Sequence, residues 1–154
     1  MIYVYYAKPV ADVAAALESI RKSCPQALAI VVRKSFGCSK LLYFSLFLSL
    51  KSFQMGKAAA KTPELEWLCR LVCTHNVSSA LKATAPASGE EVAIASTVAF
   101  PVTLQKELGV VRKVSCKDCD RDFLSSFYGL SKQALSKYNL CDLSMEKMAV
   151  EAAR

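Results

Sequence analysis

MIYVYYAKPVADVAAALESIRKSCPQALAIVV, Met1 to Val32, decides the fold class. Its two ends, MIYVYY and ALAIVV (Ala27 to Val32), are runs of β-branched and aromatic side chains that suit buried strands. Between them Pro9 sits where a helix can begin, because the first turn has no use for the N–H that proline lacks. Val10, Val13, Ala14, Leu17 and Ile20 then recur at helical spacing as one apolar stripe. The opening therefore reads strand, helix, strand. MIYVYY also lacks the basic start and apolar core of a secretory signal.

The same grammar continues downstream. LLYFSLFLSL, Leu41 to Leu50, is flanked by Lys40 and Lys51 and is far shorter than the roughly eighteen residues that span a bilayer. It predicts a helix buried on most sides, or one covered by a partner subunit, with no membrane role. Thr62 and Pro63 make a cap and first turn for a helix whose Leu65, Leu68, Cys69 and Val72 face inward, ending near Cys73. Asn76 caps a second short helix with Val77, Ala80 and Leu81 on one side, so THN is a tight corner between helices. APASGEE is a turn-rich link to a third strand, Val92 to Val98. Pro101 opens a helix with Leu104 and Leu108 inward, and Gly109 ends it. VVRKV, Val110 to Val114, is a short fourth strand. Phe123, Leu124 and Phe127 precede Gly129, a Ser131-capped piece carries Leu135 and Tyr138, and a last helix from about Asp142 carries Leu143, Met148 and Ala152. The expectation is an α/β (α+β) single domain over 1–154: a small, mainly four-stranded sheet packed with several helices, with no dividing linker.

Composition bounds the chemistry. The chain has 154 residues, 53% hydrophobic and 21% charged, so it can fold around a real core. Its net charge of +7 is unevenly placed: residues 1–82 carry 11 Lys or Arg against 4 Asp or Glu, and residues 83–154 carry 9 of each. That excess suits a basic face for nucleic acid or an acidic partner, or simply a set of solvated lysines. Seven cysteines, an odd number without framework spacing, read as reduced thiols in a cytosolic or nuclear protein.

CKDC, Cys116 to Cys119, has the spacing of half a zinc site or of a redox motif, but no second CxxC completes it. Cys73 and His75 would complete it only if the fold brought them near. A thioredoxin-like motif opens a helix after an apolar strand, whereas this one sits in a polar loop. His75, the only histidine, has no nucleophile in a recognised elbow and no orienting carboxylate beyond Glu64 and Glu66 on the preceding helix, so no catalytic residue is assigned. The five glycines are scattered and form no phosphate loop. The corner itself offers a helix start at Asn76 with Arg70 and Lys82 near in sequence, a seat for a nucleic-acid end or an ordinary capped corner.

KTPELEWLCRLVCTHNVSSALK, Lys61 to Lys82, resembles the central signature of the PRPK-binding protein family, TPRKB and its archaeal and fungal relatives, a small subunit of the KEOPS complex. The helix start at Lys61 and Thr62, the glutamate Glu66, the polar loop and the second helix with Val77, Ala80 and Leu81 overlay the family pattern without a gap. EVAIAS, LQKELG, FLSSFYGLSKQAL and the ending LSMEKMAVEAAR extend it over about residues 61–154. Where the family usually has a small-residue loop such as Ser-Gly, this chain has Val72 and Cys73, and its run at Leu41 to Leu50 is greasier.

The resemblance implies a non-enzymatic subunit, without cofactor or metal, that binds and supports the small atypical kinase/ATPase of KEOPS. Through that kinase it meets the threonylcarbamoyl transferase subunit, and the assembly makes N6-threonylcarbamoyladenosine on ANN-decoding tRNAs. It further implies help in capturing the tRNA 3′ CCA end at the corner, through Arg70, Thr74, His75, Asn76 and Lys82. The kinase contact falls to the terminal helix, Leu140, Leu143, Met145, Met148 and Val150, with Leu143 and Met148 on its inward stripe. Residence would be cytoplasmic, and nuclear as well in a eukaryote. The other function class left open is a small cytosolic thiol- or zinc-dependent binding protein using Cys116 and Cys119.

Overall fold

The computed structural model describes residues 1–115 and 118–154. Three antiparallel pairings build one four-stranded sheet of order β2-β3-β1-β4 from β1 (Tyr3–Ala7), β2 (Ala29–Arg33), β3 (Val92–Ser96) and β4 (Val110–Lys113). β1 and β2 both run antiparallel to β3, which lies between them, so the opening strand-helix-strand spans a gap that the third strand fills. Every residue of β3 is buried, as expected of a central strand covered on both faces.

Alternation along the strands sends side chains to two separate cores. Tyr5, Ala7, Ala29, Val31, Val92 and Ile94 face α1 (Val13–Ser23) and α5 (Val102–Glu107), which contribute Ala16, Ile20 and Leu104. Val4, Tyr6, Ile30, Val32, Ala93 and Ala95 face the larger helical layer. That layer holds α2 (Ser39–Gln54), α3 (Pro63–Leu71), α4 (Val77–Thr84), α6 (Arg121–Phe127), α7 (Lys132–Lys137) and α8 (Leu140–Ala152). The sheet is thus the middle of three layers, an α/β domain.

Within the larger layer α3 packs on α2 through Trp67, whose indole Nε1–H donates to the Leu42 carbonyl at 2.9 Å and the Ser45 hydroxyl at 3.0 Å. Leu41, Leu42, Ser45, Leu46 and Ser49 form the inner face of α2. Its outer face keeps Tyr43, Phe47 and Leu50 at 52%, 50% and 40% exposure. The apolar run is therefore half covered, and among the described residues no helix is long and apolar enough to cross a membrane.

Two helix starts differ from the sequence expectation. α1 begins at Val13, because Asp12 accepts the Ala14 N–H at 2.8 Å and so caps the helix three residues after Pro9. α8 begins at Leu140, because Asn139 accepts the Cys141 N–H at 2.8 Å.

Candidate functional site

The corner between α3 and α4 is built from its own side chains. Thr62 caps α3 with Pro63 in its first turn, as the sequence predicts. At the other end the Thr74 N–H donates to the Cys69 carbonyl at 3.0 Å and the Cys73 N–H to the Arg70 carbonyl at 3.3 Å. Those two bonds are a Schellman motif, and its left-handed position is filled by Cys73 at φ +56° rather than by glycine. The Thr74 hydroxyl then accepts the Asn76 N–H at 3.1 Å, and the Asn76 side chain accepts the Ser79 N–H at 2.9 Å to cap α4. Thr74 and Asn76 are thus occupied in shaping the turn, and His75 stands exposed at its tip.

Arg70 is not the solvated cation that its place beside the corner suggests. It is only 4% exposed, and its Nε and Nη2 donate to Glu66 Oε1 at 2.7 and 2.6 Å. The other carboxylate oxygen of Glu66 accepts the N–H groups of Ala59 and Ala60, both at 2.9 Å. The pair therefore clamps the strand of chain after α2 against α3, with the carboxylate's hydrogen-bonding capacity well used.

Beyond the corner the C-terminal half of α2 and the end of α8 enclose an open cleft of about 630 Å³. Arg70 lies on its wall and His75 at its edge, together with Lys51, Lys57 and Arg154. Leu48, Met55 and Ala149 supply apolar wall, so the cleft offers fixed positive charge, an imidazole and a greasy surface in one place. Lys51, Lys57 and Arg154 were not among the residues expected from the sequence. Only the excess of basic residues in the first half pointed toward the two lysines. Lys82 is exposed on α4 and does not line this cleft.

The terminal helix divides the residues expected at a kinase contact. Leu140 and Met148 are buried in the core against the sheet, which removes them from the surface. Leu143 and Met145 are half-buried, and Val150 is exposed. The larger exposed apolar stripe is that of Tyr43, Phe47 and Leu50 on α2, which packs against α8.

Of the thiol constellation drawn from CKDC, Cys116 lies outside the described residues. Among the described residues Cys119 forms no ligand group with Cys73 and His75; the thiols that cluster with it are Cys38 and Cys141. Cys73 instead turns into the protein beside Tyr128 and α8, and burial, followed by the charge of Glu151, pushes its thiol up to about 11.

No family model matches the chain. It is similar to the KEOPS complex subunit Cgi121 of Pyrococcus abyssi (strain GE5 / Orsay), at 32% identity over 120 residues, covering 73% of this chain and 68% of the Pyrococcus protein. The resemblance to a KEOPS subunit in the sequence is thus matched by a relative that covers most of the chain, and the chain belongs to the family of the KEOPS complex subunit Cgi121.

Proposed function

We propose that this chain is a subunit of a KEOPS complex that works by binding and has no catalytic centre of its own. It holds the small atypical kinase/ATPase subunit, meets the threonylcarbamoyl transferase subunit through it, and receives the single-stranded 3′ CCA end of ANN-decoding tRNAs for N6-threonylcarbamoyladenosine modification. In a eukaryote it would act in cytoplasm and nucleus.

The observation that carries the RNA half is the cleft in which Lys51, Lys57, Arg70, Arg154 and His75 meet. The exposed Lys51, Lys57 and Arg154 meet backbone phosphate while Arg70 stays paired with Glu66 in the wall, an exposed imidazole stacks on an unpaired base, and an open cleft admits a single strand where a duplex would not enter. The subunit half is supported by the family relationship and by the uncovered α2 stripe, Tyr43, Phe47 and Leu50, with Val150 exposed on α8. Aromatic side chains on such a stripe are the usual anchors of a protein interface.

Co-purification tests the assignment. The tagged chain is expected to bring down a small kinase in one-to-one ratio and, with it, a larger transferase subunit. A chain that recovers neither, in an extract that contains both, contradicts the reading.

A further inference from the structure

Three cysteines with no part in the cleft or the α2 stripe converge on the helical side of the sheet. Cys38 is the residue before α2, Cys141 is the second residue of α8, and Cys119 directly precedes the Asp120 cap of α6. Their Sγ atoms all lie within 4.8 Å of one another, and those of Cys38 and Cys141 are 3.5 Å apart. Cys38 and Cys141 are buried and Cys119 is half-buried.

The backbone around them is braced from the sheet. The Tyr6 hydroxyl, reaching up from β1, bonds to the carbonyl oxygens of Gly37 at 3.3 Å and Asp118 at 3.1 Å. Those are the residues immediately before Cys38 and Cys119, so one side chain ties two of the three segments together. Gly37 is required for that approach, because a Cβ there would stand 2.4 Å from the Tyr6 ring. Phe36 adds edge contacts to Phe123 and Phe127 of α6, at 5.0 and 4.9 Å between ring centres. The loop into Cys119 is held by the Asp118 carboxylate, which accepts the Ser115 N–H and hydroxyl at 2.7 and 2.9 Å and Arg112 Nη1 at 2.7 Å.

We propose that Cys38, Cys119 and Cys141 are three thiolate ligands of a bound thiophilic metal ion, zinc by their chemistry. Zinc–sulfur bonds of about 2.3 Å at tetrahedral angles place sulfurs about 3.8 Å apart, a value that lies between the 3.5 Å pair and the 4.8 Å limit of this cluster. Each thiol releases its proton to solvent as its sulfur bonds the ion. The resulting negative charge faces the starts of α2 and α8, helices of 16 and 13 residues whose dipoles favour it. Soft sulfur donors select zinc over the hard cations that oxygen ligands hold. The site ties α2, α8 and the segment entering α6 at one point, and its fourth tetrahedral position falls to a further donor such as water.

Cobalt(II) added to the full-length, reduced chain tests the site directly. One equivalent is expected to bring a thiolate-to-cobalt charge-transfer band and the strong visible bands of a tetrahedral ion, both abolished by one equivalent of zinc. Cys119→Ser, on the half-buried loop, is expected to lose those bands and to weaken zinc binding beyond the tenfold to hundredfold cost of losing an outer partner. Cys73→Ser keeps both. If Cys119→Ser does not fold, zinc protection of the wild-type thiols from alkylation gives the same answer: Cys38, Cys119 and Cys141 protected, Cys73 not. The proposal is overturned if no bands develop, if folded Cys119→Ser keeps them, if zinc leaves the three thiols unprotected, or if Cys38 and Cys141 are found as a disulfide in the zinc-treated chain.

Discussion

Cys73 holds a backbone conformation that costs an ordinary residue about 1–2 kcal/mol, at the turn position where glycine is usual. Its half-buried thiol offsets part of that cost by packing against the core near Tyr128. Burial raises its pKa from an ordinary 9.0 to about 11, so folding keeps the thiol protonated. The stabilising preference is fully present below pH 9 and is lost as pH rises toward 11, because the unfolded chain gives up that proton first. Comparing Cys73→Ala with wild type by urea denaturation from pH 8 to 11 is expected to show the smaller decline in the variant; equal declines would contradict it. Roughly a hundredfold less thiolate at neutral pH also predicts slow alkylation of Cys73 compared with an unhindered thiol. Glu66 is the residue whose loss should matter most to stability. Glu66→Ala leaves the Arg70 guanidinium buried without its partner and strips Ala59 and Ala60 of their acceptor. A loss of about 3–5 kcal/mol is expected in equilibrium unfolding; a loss below about 1 kcal/mol would show that Arg70 finds solvent.

At the scale of elements, α2 carries two jobs on two faces. Its inner residues hold α3 through Trp67, while Tyr43, Phe47 and Leu50 stand uncovered. Phe47→Lys is therefore expected to change folding stability by no more than about 0.5 kcal/mol. The same substitution is expected to weaken the kinase-subunit complex by about 30-fold or more, measured by titration calorimetry. An unchanged affinity would assign the stripe to something else. The elements themselves were largely legible from sequence, for particular reasons. β1 and β3 are covered on both faces and so read as unbroken apolar runs, Thr62, Asn76 and Ser131 stand at helix starts where their side chains cap, and Pro63 follows its cap in the first turn. Pro9 misled because Asp12 offered the better cap. The cleft was only half legible: Arg70 and His75 lie in one readable corner, but Lys51, Lys57 and Arg154 join them through the packing of α2 against α8, which no local spacing encodes. The thiol cluster was hidden for the same reason, since Cys38 and Cys141 are 103 positions apart while CKDC drew attention to neighbours in sequence.

For the whole molecule, part of the basic excess of the first 82 residues gathers in the cleft, where Lys51, Lys57 and Arg70 from that half meet Arg154 and His75. An RNA end held there by phosphate contacts implies salt dependence, each lost contact to a single strand lowering the slope of log affinity against log salt by about 0.7. Lys51→Glu with Lys57→Glu should therefore reduce that slope by about 1.4 and leave the fold unchanged, because both lysines are exposed. The central measurement is the affinity of the chain for one tRNA with and without its 3′ CCA, across several salt concentrations, in wild type and in this double variant. The account predicts tighter binding of the intact tRNA by wild type at every salt and no difference between the two tRNAs for the variant. Equal affinity of wild type for both tRNAs, or a CCA preference that survives the double substitution, would contradict it.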